Sequence, residues 1–316
     1  MIDFRYHLVS LIAVFLAVAL GIVIGTTQLN GPILADLETQ VTALEQDKRS
    51  LEDQTQTLQT QLDTSDAFQD AVAPVLVAGS LAGRSVVLVV SGDEVAPETV
   101  EEVGALVGQA GGTLTGTLRL TPEYSDPATA ASLQSYVTGP GLPTGMRLPE
   151  TDDTGQLVGA LLAQVLMRPA TPGAPEPNTA ALSSVLAGLS ALEVLSVDSA
   201  SVTPADYAVV LTAGVAADEA EARTDTLIDL AVALDTAGSG AVVAGDGAAA
   251  GEGGLVEAVR ADPETSAAVS TVDNVDASSG RISTVLALGR ESEGTSGKYG
   301  TGEDTQPVPP VAVATP

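Results

Sequence analysis

The sequence predicts an α/β protein preceded by a membrane helix, and three observations carry that prediction. An unbroken apolar run lies near the N-terminus, a seven-residue leucine repeat follows it, and short apolar runs then alternate with helical patterns as far as residue 290. The chain has 316 residues, 45% of them hydrophobic and 17% charged, which suits one or two folded domains rather than disorder. Tryptophan is absent and aromatics make up 3%, so Ala, Val and Leu must fill the core.

The first element is the membrane segment. From Leu8 to Ile24 the only polar side chain is Ser10, a run at the lower edge of spanning length that Phe4 and Tyr6 extend at the interface. A cleaved signal peptide competes with a retained anchor here. The anchor is favoured because the small-x-small pattern of a cleavage site falls inside the run, at Ala17 to Ala19, and not just beyond it. Arg5 and the terminal amine precede the span, while Asp36 and Glu38 follow it and no further cation appears until Lys48. The positive-inside rule therefore gives residues 1–7 as a cytoplasmic N-terminus, 8–25 as a single-pass transmembrane helix and the remainder as extracytoplasmic. Ala13, Ala17, Gly21 and Gly25 recur every four residues and form a small-residue row suited to close membrane-helix packing, although an Ala- and Gly-rich composition produces such rows by itself.

The second element is a helical stalk. Asn30-Gly31-Pro32 reads as a helix breaker, after which Leu37, Leu44, Leu51 and Leu58 repeat every seven residues with Leu34, Val41 and Leu62 in the complementary heptad positions. A coiled coil over residues 33–70 is expected, reaching about 50 Å from the membrane at 1.5 Å per residue. Lys48 and Thr55 fall in the seam and weaken it, and a parallel homodimer would set Asp47 against Glu52 of its mate. Self-association and a more basic partner helix both remain open, as does a helix folded back on its own domain.

The third element is the body, expected over residues 80–290. Strand 85–90, a turn at Ser91-Gly92-Asp93, helix Pro97–Gln109 and strand Thr113–Leu120 compose one βαβ unit. Helices follow at 127–137 and 154–167. Pro169, Pro172, Pro175 and Pro177 mark residues 168–178 as a long loop, or a linker between lobes 80–167 and 179–290. Strands at 192–197, 207–211 and 241–244 then alternate with helices near 180–189, 218–236 and Leu255–Ala261, and a last helix spans 280–290. This order is Rossmann-like, with a mostly parallel sheet covered on both faces. Residues 291–316 lack apolar period and read as a disordered tail.

Composition excludes much chemistry. A net charge of -29, from 41 acidic and 12 basic residues, argues against nucleic acid as a partner. With no cysteine and one histidine, His7, there is no disulfide framework, Cys/His zinc site or cysteine nucleophile, and no histidine triad in the body. Gly245-Asp246-Gly247 with Gly251, Gly253 and Gly254 resembles a phosphate-cradling turn, but its spacing fits neither the dinucleotide fingerprint nor the P-loop, so a tight turn is the better reading. Gly294 to Lys298 is discarded as a P-loop end because no strand leads into it. The acidic pairs Asp93-Glu94, Glu101-Glu102 and Asp152-Asp153 sit at expected helix N-termini, where carboxylates favour the dipole. No catalytic residue, cofactor-binding residue or cofactor is evident, and the chain is not expected to be an enzyme.

Certain stretches carry a family resemblance. Phe4-Arg5-Tyr6-His7 leads into Leu8-Val9-Ser10-Leu11 and the Gly21 to Gly25 end of the span. The leucine heptads come next, and then Val272-Asp273-Asn274-Val275-Asp276 runs into Gly280-Arg281-Ile282-Ser283-Thr284-Val285-Leu286-Ala287-Leu288, with Gly297-Lys298-Tyr299-Gly300 behind. The whole chain resembles the actinobacterial MctB family of copper transport proteins of the cell envelope. That resemblance implies a role in copper efflux or homeostasis, with copper ion entering through the resemblance alone, and an outer-membrane location as the family label suggests. Some relatives are tied instead to cell-division and cell-wall control, which leaves a second reading as a coiled-coil scaffold that binds a partner protein. Against transport stands the donor chemistry. Cu(I) prefers thiolate and thioether and Cu(II) imidazole, whereas this sequence offers His7 and only Met1, Met146 and Met167, so the metal ligands are unknown.

Overall fold

The computed structural model describes residues 4–92, 94–143, 145–171, 173–215, 220–291, 293–306 and 308–309, and the surroundings of the side chains of Phe4, residues 26–35 and Ala220 lie outside that description. Two compact units divide the chain, Met1–Ser65 and Asp66–Pro316.

The first unit is one helix. Helix α1 runs Phe4–Val77, 74 residues without interruption, so the expected breaker at Asn30-Gly31-Pro32 is corrected. Glycine costs a helix about 1 kcal/mol and an interior proline about 3 kcal/mol. Here a long apolar run on one side and a Leu-, Glu- and Gln-rich run on the other propagate the helix across that local cost. Residues Arg5–Gly25 form the one candidate span among the described residues, long and apolar enough to cross a membrane and wholly unburied.

The second unit begins with the last turns of α1. Ala73 and Val77, with Leu81 after the helix, are buried against the sheet. Then follow β1 (Ser85–Ser91), α2 (Pro97–Gln109), β2 (Thr113–Leu120), two 3-10 turns, α3 (Ala130–Val137), α4 (Thr154–Leu166), α5 (Thr179–Ala191), β3 (Leu195–Val197), β4 (Tyr207–Thr212), α6 (Ala220–Ala237), β5 (Ala241–Gly245), α7 (Leu255–Ala261), α8 (Pro263–Ala268), β6 (Ser270–Val272), α9 (Ser278–Glu291) and β7 (Lys298–Tyr299). The strands form one sheet in the order β3-β2-β1-β4-β5-β6-β7. Every pairing is parallel except β2 with β3.

The continuous apolar runs of β1, β4 and β5 follow from burial on both faces, since successive side chains point to opposite sides. Val87, Val89, Val210 and Val243 face α4, α5, α6 and α7. Val86, Leu88, Val90, Val209 and Val242 face α2, α9 and the end of α1. Because β1 and β2 share this sheet with β4 and β5, and α4 packs on α6 across residues 168–178, that segment is a surface loop and not a boundary between lobes.

The expected tail is also corrected over its first part. Lys298 and Tyr299 pair with Thr271 and Val272, and Tyr299 is buried. A half-buried guanidinium helps to hold this pairing. Arg260 donates to Thr271 Oγ1 at 2.8 Å, to Asp273 Oδ2 at 2.8 Å and to the Tyr299 carbonyl at 2.9 Å, while Asp273 also accepts from the backbone N–H of Thr301 and Gly302. Residues 310–316 of the tail, Pro172 of the proline segment, and Asp218 at the expected start of α6 lie outside the described residues.

Candidate functional site

Strand β1 lies between β2 and β4, and the chain leaves it first toward β2 and later returns on its other side at β4. That reversal opens a crevice at the carboxyl ends of the strands, the usual ligand position in doubly wound sheets. A cleft of about 430 Å³ occupies it, lined by Ser91 and Gly92 at the end of β1, Thr121 and Pro122 after β2, Thr212 to Val215 from the end of β4, and Arg223 and Leu227 of α6. Leu255 of α7 completes the apolar wall.

Two charged groups at the cleft are already committed. Arg223 pairs with Asp126 at 2.7 Å and donates to the Pro122 carbonyl at 2.7 Å. Asp246 accepts from the backbone N–H of Gly214 at 3.1 Å and of Ala249 at 2.8 Å. The Gly-rich turn after β5 is therefore filled by its own carboxylate, which occupies the N–H groups a phosphate would need. A tight turn is what the structure contains, and a Cβ on Gly254 would strike the Ala249 carbonyl. Glu94 is different. Its carboxylate lies over Gly214, which has φ +67 and no Cβ to obstruct it. Asp93, its expected partner in an acidic pair, lies outside the described residues.

Of the sequence-predicted positions, Ala13, Ala17 and Gly21 are exposed and Gly25 is half-buried on the membrane part of α1. Leu37, Val41, Leu44, Leu51, Leu58 and Leu62 are 50 to 70% exposed, a row of leucines and one valine along the helix. The side chain of Leu34 lies outside the described residues. Asp153 caps α4 by accepting from Gln156 N at 3.2 Å, as expected of an acidic N-terminus. His7 is exposed on α1, Met167 is buried under α6 and Met146 is half-buried. Among the described residues no group of three or more His, Cys, Asp or Glu converges as a metal site.

A family model described as copper transport outer membrane protein, MctB, matches residues 1–310. The span, the rest of α1 and the α/β body are thus matched together. The chain belongs to the MctB family. Its relatives include the copper transporter MctB of Mycobacterium tuberculosis (strain ATCC 25618 / H37Rv), 35% identical over 311 residues, covering 98% of this chain and 99% of that protein. The copper transporter MctB of Mycobacterium leprae (strain TN) is 35% identical over 323 residues, covering 96% and 97% respectively.

Within this MctB-family body three carboxyl groups stand apart electrostatically. Burial pushes Glu291 up to about 7, hydrogen bonds from Ser270 opposing the rise and the charge of Asp235 adding to it. Asp235 itself is raised to about 6 by burial against a hydrogen bond from Ala241 N–H. Asp229 on α6 is raised to about 6 by burial and then by the charges of Asp153 and Asp225. Glu291 and Asp235 border a second cavity, at the opposite end of the sheet from the switch-point cleft. Sequence reading singled out Glu94 only as half of an acidic pair at a helix N-terminus, and it missed Arg223 and Glu291, which depend on partners distant in sequence.

Proposed function

We propose that the chain acts in copper homeostasis of the cell envelope as a membrane-anchored, non-enzymatic protein. The observation that carries this reading is the family match across residues 1–310, which takes in anchor, helix and body, with relatives named as copper transporters over nearly their whole lengths. In this reading residues 8–25 sit in the cytoplasmic membrane with the N-terminus inside and the α/β body outside, in keeping with the charge asymmetry around the span. The family description names an outer membrane, and separation of the two membranes followed by immunoblotting distinguishes the locations.

One helix makes no pore, and the donors that copper prefers are scarce in this sequence. The role is therefore assigned to an assembly. Exposed Leu37, Leu44, Leu51 and Leu58 supply a seam for a second helix, and Ala13, Ala17, Gly21 and Gly25 supply a close-packing row inside the bilayer. Copper passes as cargo through that assembly and is not a resident cofactor of one chain. Growth of a deletion strain across a copper series tests the proposal. Sensitivity restored by the full chain supports it, and tolerance equal to the parent removes it.

A further inference from the structure

We propose that the switch-point cleft binds a small organic cation, an ammonium-bearing molecule whose nitrogen pairs with Glu94 and whose carbon skeleton lies on Val215, Leu227 and Leu255. This does not depend on the copper reading.

Among the described residues Glu94 is the one carboxylate lining the cleft, and it carries an uncompensated charge. Arg223 is neutralised by Asp126 at 2.7 Å, and Asp246 spends its oxygens on the N–H groups of Gly214 and Ala249. Glu94 makes no ion pair among the described residues and sits at the rim over Gly214, a position open only because that residue lacks a Cβ. The nearest anion-binding N–H, that of Gly214, is already taken by Asp246. Phosphates and carboxylates are therefore repelled, while a cation finds a free carboxylate.

Part of the lining is apolar. Leu227 and Leu255 are buried core residues whose edges reach the cleft, and Val215 is 47% exposed at its mouth. Hydroxyls of Ser91, Ser125 and Thr212 add polar points between the two regions. A volume of about 430 Å³ suits a molecule of amino-acid or diamine size. The net charge of -29 raises the local concentration of any such cation.

The test is calorimetric titration of the full chain in detergent micelles with 1,5-diaminopentane, and with glutarate as a dianion of similar length. Saturable binding of the diamine is expected, about tenfold weaker in Glu94→Gln and unchanged in Asp152→Asn, which removes an exposed carboxylate elsewhere on the body. The absence of saturable diamine binding overturns the proposal, as does equal weakening in both variants, which marks diffuse attraction to an acidic surface. Tighter binding of glutarate also overturns it. Should Glu94→Gln fail to fold, amide exchange of the wild type decides the matter. Added diamine must slow exchange at Ser91 to Gly92 and Thr212 to Val215, and unchanged exchange there contradicts the assignment.

Discussion

Arg260 and Glu291 show how single side chains hold the last strand region in place. Arg260 is a half-buried cation whose donors reach β6, β7 and Asp273. Burial opposes the ionisation of Asp273, but hydrogen bonds from Arg260, Thr301 and Gly302 outweigh it and hold the carboxyl below its ordinary range. Arg260→Ala leaves that carboxylate buried without its cation, so urea unfolding should report a loss of about 3 kcal/mol, with accelerated amide exchange at Tyr299. Glu291 acts in the opposite sense. Its carboxyl is raised from 4.5 to about 7, chiefly by burial, so the folded state holds a proton that the unfolded chain has released. This group's contribution to stability is full below about pH 4.5, falls as pH rises to about 7 and is flat beyond. Glu291→Gln should match the wild type at pH 4 and exceed it by about 2 kcal/mol at pH 8 in thermal unfolding. Neither role was legible in the sequence, because Arg260 meets Tyr299 and Glu291 meets Ser270 only after the chain has folded. The Gly245-Asp246-Gly247 turn was legible, since its glycine spacing already failed the phosphate motifs.

Helix α1 carries two largely exposed rows, one of small residues and one of leucines. At 100° per residue the Ala13, Ala17, Gly21 and Gly25 row lies about a quarter turn from the leucine seam extended back along the helix. Both rows lie on one helix that runs unbroken through Pro32. Leu44→Asp combined with Leu51→Asp should abolish cross-linked oligomers of a fragment covering residues 33–316, while circular dichroism of the body stays unchanged. Persistence of those oligomers would place the contact elsewhere. Most of the body was legible because strands buried on both faces leave continuous apolar runs. Helix α2 and strand β2 fall where the sequence puts them, from Pro97 and from Thr113. Strands β6 and β7 were not legible, since three and two residues hold no periodicity, and their pairing rests on backbone hydrogen bonds between segments distant in sequence, buttressed by Arg260. The breaker expectation failed because a local Gly-Pro penalty is small beside two long helical runs that are continuous in phase.

At the scale of the whole molecule, an apolar span, an exposed seam and an acidic α/β body are carried in one chain that matches the MctB family from residue 1 to 310. We propose that this arrangement works on envelope copper and requires its anchor. Cell-associated copper, measured by mass spectrometry after a fixed copper exposure, tests it most directly. The strains are a deletion mutant, the mutant carrying the full chain, and the mutant carrying a secreted form in which a cleavable leader replaces residues 1–30. Copper should rise in the deletion, return to the parental level with the full chain, and stay raised with the secreted form. Parental copper in the deletion mutant, or full correction by the unanchored body, would contradict the proposal.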